Sequence, residues 1–146
     1  MAWAVGAYTE NAELSVLAGT DLNALGSAAV KASAALDNSG NKDKYGDLFV
    51  HLDALSPGAG AHLDIYLLPS HDGTNYPSAT AAVVRNQTTL FVGSIPLDTT
   101  AATAQDVVLK GIILPVSHYK IVLDNQSGVA IPSNNNSYAK MITYND

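Results

Sequence analysis

The 146-residue chain contains no cysteine, which excludes a disulfide framework, a thiol nucleophile and any cysteine-ligated zinc site. Lysine and arginine together number only 7 against 13 acidic residues, a formal charge of −6, and they form no cluster. That balance excludes a basic nucleic-acid surface and disfavours an anionic membrane as partner. No apolar run reaches the ~18 residues of a membrane-spanning helix. The opening Met1-Ala-Trp-Ala-Val-Gly-Ala-Tyr8 has no basic stretch, so no secretory signal is expected. Charged residues make up only 14% of the chain, well under the roughly 25% usual in globular proteins. Its polar surface therefore rests mostly on uncharged side chains.

What is present is a β pattern. Hydrophobic residues reach 47%, and from Ala28 onward they fall in short blocks divided by turn-forming clusters. Strands are expected at 28–36, 45–55, 61–69, 79–84, 89–96, 106–114, 119–124 and 138–144. The turns between them include Asp37-Asn-Ser-Gly-Asn41, Ser56-Pro-Gly-Ala-Gly60, Ser70-His-Asp-Gly-Thr-Asn75, Asp124-Asn-Gln-Ser-Gly128 and Pro132-Ser-Asn-Asn-Asn136. About eight strands with no long helix imply an all-β, jelly-roll-like antiparallel sandwich over residues 27–146. Residues 1–26 carry acids but no base and follow neither a helical nor a strand period. They read as an extended N-terminal arm, with a short helix over 11–17 ended by Gly19. Trp3, Val5 and Tyr8 are its candidate anchors on a partner.

The segments 45–55 and 61–69 both alternate. Joined as a hairpin centred on Pro57-Gly58, they would place Leu52 opposite Leu63 and Val50 opposite Ile65 on an aliphatic, core-facing side. The other side would hold Phe49 against Tyr66, His51 against Asp64, and Asp53 against His62. These four His and Asp residues form the one cluster with metal-ligand character, yet cross-strand polar pairing accounts for it without a metal. His71 in a turn and His118 at the start of a late strand are expected to face solvent. No nucleophile elbow and no glycine-rich phosphate loop occurs, so no enzyme activity, metal or cofactor is expected. Asp72-Gly-Thr-Asn75 reads as a turn rather than a calcium loop. The Asn-x-Ser/Thr sequons at Asn86, Asn125 and Asn135 carry little meaning without a secretory signal. For a sugar platform the candidates are Tyr76, Tyr119, Tyr138 and Tyr144.

The stretch Tyr66-Leu-Leu-Pro-Ser-His-Asp-Gly-Thr-Asn-Tyr-Pro77 resembles a motif of small virion structural proteins of tailed bacteriophages. Further blocks are similar: Leu25-Gly-Ser-Ala-Ala-Val30, Leu36-Asp-Asn-Ser39, Ile113-Leu-Pro115, Tyr119-Lys-Ile-Val-Leu-Asp-Asn-Gln-Ser-Gly128 and Tyr138-Ala-Lys-Met-Ile-Thr-Tyr-Asn145. Together they cover roughly residues 22–146 and leave residues 1–21 outside. The resemblance implies a virion structural protein assembled in the bacterial cytoplasm. Within that class, the expected role is a capsid decoration (cement) protein on the capsid exterior. It would bind the major capsid protein and associate with itself as a homotrimer. The alternative is a tail-associated β-sandwich module that binds a receptor or glycan.

Overall fold

The computed structural model describes residues 9–99 and 102–145; the side chains of residues 9–11 are outside the description. Among the described residues, nine strands form two antiparallel sheets. The front sheet has the order β1 (Thr9–Leu17), β9 (Tyr138–Asn145), β4 (Tyr45–Leu52), β7 (Gln105–Ile113). The back sheet has the order β2 (Val30–Ala32), β8 (His118–Gln126), β5 (His62–Ser70), β6 (Phe91–Pro96), and β3 (Leu36–Asp37) also pairs with β8. Two short helices complete the fold, α1 (Gly19–Leu22) and α2 (Ala81–Asn86). The expected all-β sandwich is therefore what the chain forms.

Alternation builds the core. On β4, Leu48, Val50 and Leu52 point inward while Phe49 and His51 point outward. On β5, Leu63 and Ile65 point inward, and Tyr119, Ile121 and Leu123 do the same from β8. Ala139 and Met141 complete the packing from β9. Two inner faces that shed their apolar area from water against each other are the main source of stability in such a sandwich.

Three local expectations are corrected by long-range pairing. Residues 45–55 and 61–69 do not form a hairpin: β4 lies between β9 and β7 in the front sheet, and β5 lies between β8 and β6 in the back sheet. Leu52 and Leu63 thus meet across the core from opposite sheets rather than along one face. The expected helix over 11–17 is the strand β1, paired with β9, and Gly19 opens α1 instead of ending a helix. The outer part of the proposed arm, with Trp3, Val5 and Tyr8, lies outside the described residues. Its continuation over Thr9–Leu17 is an edge strand of the sandwich itself. Finally, the strand expected at 79–84 is the helix α2, whose Val84 is buried against the back sheet.

Candidate functional site

The outer faces of the two sheets differ. On the back sheet, Tyr66 and Leu68 of β5 and Val122 of β8 point outward, and Val84 and Leu90 cover them as a second small core. Arg85 on α2 locks this cover. Its Nε and Nη2 donate to Asp124 Oδ2 and Oδ1 at 2.8 and 2.7 Å, and Nη2 also donates to the Ala28 carbonyl. Asp124 is fully buried, so the bidentate pair neutralises a carboxylate that has left water. The loop entering this cover turns on Asp72, whose Oδ1 accepts the Thr74 and Asn75 amides at 2.8 Å each. Those amides, with the side chains of Asn75 and Ser70, hold the Asp72 carboxyl far below the ordinary range. Its hydrogen bonds to Ser70, Thr74 and Asn75 are made within the turn, in keeping with the expected turn role.

The front sheet's outer face has no comparable cover among the described residues. Here β4 offers Phe49 and His51, β9 offers Tyr138, Lys140 and Ile142, β1 offers Glu13 and β7 offers Asp106, around a shallow depression of about 260 Å³. Phe49 and Tyr138 are 40% and 38% exposed, unusual for large rings in a sheet. Register explains their grouping: His51 lies opposite Tyr138 on one side and opposite Asp106 on the other. The His51 and Tyr138 rings stack with centroids 5.1 Å apart, and His51 Nδ1 lies 2.7 Å from Asp106 Oδ1. Lys140 pairs with Glu13 at 3.1 Å and reaches over the Tyr138 ring at 5.4 Å. Further along the face, Tyr45 and Tyr144 stack at 5.7 Å, with the Tyr144 hydroxyl donating to Asp47. At the opposite end Asp53 accepts from the side-chain amides of Asn134 and Asn136. The Ala54 N–H, then Asn136 and Asn134, keep the Asp53 carboxyl below its usual range.

This arrangement divides the four residues expected as one cluster. His51 belongs to the front sheet and Asp53 follows the end of its β4, whereas His62 and Asp64 sit on the outer side of the back sheet. His62 Nε2 is 3.5 Å from Asp64 Oδ2, and Asp64 accepts from Ser94, so neither carboxylate faces the other histidine. Among the described residues no group of three or more His, Asp or Glu gathers as a metal site would require. Of the four candidate platform tyrosines, Tyr138 is on the open face and Tyr144 flanks it. Tyr119 is in the core, and Tyr76 packs under Lys120 with its hydroxyl buried. His71 is exposed as expected, but His118 is half-buried, with Nε2 3.4 Å from Asp37. Phe49 and Asp106 were missed as site residues. Phe49 had a signal, its place on the polar side of an alternating strand; Asp106 had none before the β4–β7 register was known.

No protein-family model matches the chain, and no curated protein does. Solved structures do resemble it. The C-terminal CBM6 of LamC, a marine laminarinase from Zobellia galactanivorans, superposes with a TM-score of 0.50 at 12% identity, over 90% of this chain and 99% of that one. Xyl-CBM35, solved in complex with a glucuronic acid containing disaccharide, gives 0.46 at 13% identity, over 80% of this chain and 66% of that one. The capsid of Ralstonia phage GP4 gives 0.43 at 11% identity, over 99% of this chain and 87% of that one. At such identities the likeness concerns the fold: this chain is a β-sandwich similar to the jelly rolls of carbohydrate-binding modules.

Proposed function

We propose that this chain is a non-catalytic binding module that takes a carbohydrate on the outer face of the front sheet. The observation that carries this reading is the exposed pair Phe49 and Tyr138, set around the His51–Asp106 hydrogen bond. The apolar faces of sugar rings pack on such rings, while hydroxyl groups exchange hydrogen bonds with flanking imidazole, carboxylate and ammonium groups. The site supplies all three in His51, Asp106 and Lys140. Catalysis is not part of the proposal. Glu13 and Asp106 stand on the two edge strands, offset by three strand spacings, about 14 Å, across the sheet, and by four further positions along it. A glycosidase pair needs carboxyl groups within about 5–9.5 Å.

The test is a glycan array probed with the whole chain, followed by calorimetric titration of the hits. Tyr138→Ala and Phe49→Ala should each abolish binding while the circular dichroism spectrum stays unchanged. Full-strength binding by both variants, or no hit on the array, would overturn the reading.

A second reading keeps the module on a virion as a capsid decoration protein held by the major capsid protein, with Trp3, Val5 and Tyr8 as further anchors and a homotrimer as the attached form. Its support is the exposed apolar rim of Ile113 and Val116, 78% and 66% accessible, where β7 turns towards β8. Immunogold labelling of intact particles separates the two: gold over the head supports decoration, and gold at the tail tip supports a tail-borne glycan-binding module.

A further inference from the structure

Among the described residues, one side of the sandwich is open. β6 and β7 are the edge strands of the back and front sheets, and they run along the same side of the molecule. Each carries an irregularity at the same level. In β6, Ile65 pairs with Gly93 while the next residue, Tyr66, pairs with Phe91, which leaves Val92 as an extra residue. In β7, Gly46 pairs with Ile112 and Leu48 with Leu109, so Lys110 and Gly111 together face Asp47. Gly111 has φ +69°, which a side chain would strain, and its N–H donates to Asp47 Oδ1 at 2.8 Å. Below the bulges the sheets stay close, because Leu109 presses on the bare backbone of Gly93, where an added Cβ would sit 2.9 Å from the leucine. Above them the edges part around a cleft of about 360 Å³.

Its walls are Leu67, Leu90, Val92, Leu109 and Ile112, with Phe91 and Ile113 at the mouth. That volume lies within the range of roughly 300–1,000 Å³ typical of small-molecule sites. Lys110 stands at the same mouth. Among the described residues it makes no ion pair and no hydrogen bond, although the chain as a whole is acidic. We infer that this cleft binds the aliphatic chain of a fatty-acid-like carboxylate, with Lys110 holding the head group at the mouth. The aliphatic side chains among the walls explain the tail, and an unpaired cation in an anionic protein selects the charge of the head. The floor formed by Leu109 on Gly93 favours one chain end entering over a polymer passing through. This site is separate from the glycan face, and neither proposal depends on the other.

The experiment titrates dodecanoate, below its micelle concentration, into the isotopically labelled whole chain and follows side-chain NMR signals. Dodecanol and dodecyltrimethylammonium serve as head-group controls. Saturable one-to-one binding is expected, with shifts at Leu109, Ile112, Ile113 and Phe91, and affinity rising about fourfold for each methylene added between decanoate and dodecanoate. Lys110→Glu should weaken dodecanoate about tenfold and strengthen the ammonium amphiphile. Ile113→Gln, at a position 78% exposed and so harmless to folding, should remove apolar surface from the mouth without adding charge and weaken every amphiphile alike. Absence of saturable binding, equal affinity for dodecanol and dodecanoate, or shifts centred on Phe49 and Tyr138 would each overturn the assignment.

Discussion

The outer faces of the two sheets began from the same requirement and met it differently. Each sheet buries its inner side against the other, and its outer side is free to be polar. The front sheet follows that rule on β4 and β9, where His51 and Lys140 point outward beside isolated rings. The back sheet breaks it, placing Tyr66, Leu68 and Val122 outward as an apolar patch that needs a cover. Residues 71–90 supply that cover, fixed by one helix, one buried ion pair and one Asx turn. Exposed rings on the front sheet therefore cannot be put down to a general failure to cover surface. The same chain covers such residues where they serve only packing.

Four measurements would break or sharpen this contrast. The largest effect belongs to Arg85→Ala, which leaves the buried Asp124 carboxylate without its partner and should cost about 3 kcal/mol in denaturant unfolding. Replacing both residues together, Arg85→Met with Asp124→Leu, should recover most of that loss. If the double variant is as unstable as the single one, the ion pair is not what fastens the cover.

Next comes a perturbation shared by both faces. Burial, aided by the Asp43 carboxylate, pushes the Tyr119 hydroxyl up to about 12. A folded-state value above the unfolded one of 10 means the native state holds the proton more tightly. The resulting stabilisation is complete below pH 10 and lost as pH rises towards 12, on the order of 2 kcal/mol. Thermal melts across that window should fall steeply for the native chain and less for Tyr119→Phe. Both outer faces should lose their structure together.

Acid should weaken the back cover more than the front face, because Asp72 is held further below the ordinary range than Asp53. Because the folded Asp72 carboxyl sits below its unfolded value, its stabilisation is present above the ordinary aspartate range and fades as pH falls beneath it. Amide exchange of Gly73, Thr74 and Asn75, taken relative to the intrinsic rate at each pH, should accelerate in acid before that of β4 and β9. Asp72→Ala should reproduce the acceleration at neutral pH, and unchanged exchange would remove the turn from the account of the cover. Smallest in stability are Phe49→Ala and Tyr138→Ala, each expected to shift unfolding by no more than about 1 kcal/mol while removing ligand binding. A loss comparable to that of Arg85→Ala would reassign these rings to packing.

The contrast also marks what the residues disclosed unaided. Alternation on β4 and on β5 was plain in the sequence, and it gave strand positions and inward faces correctly. Partner choice was not, because pairing across 40 or more residues leaves no local trace: Leu52 and Leu63 fit one hairpin as well as they fit two opposed sheets. The segment Ala81–Asn86 has strand-like valines, yet it coils because Val84 and Arg85 both gain partners on the back sheet in that shape. For the same reason β1 is extended, since β9 offers it a ladder that a short isolated helix could not match. At the front face, the sequence offers Tyr138 as a sugar platform and His51 as the partner of Asp64, with nothing to join the two. Their meeting depended on register, as did the arrival of Asp106.

The pairing of Thr9 with Asn145 has a mechanical consequence. Anything joined to either end of the sandwich leaves from one corner, while the Tyr138 ring stands at the far end of the same strand. A tether at that corner and a ligand at the rings would load β9 along its length, so its ladder bonds to β1 and β4 resist as a group in shear. Pulling the two ends away from each other would instead peel β1 from β9 one pair at a time. The sandwich thus resists tension applied between that corner and the Tyr138 end of β9, and yields readily to tension between its own ends.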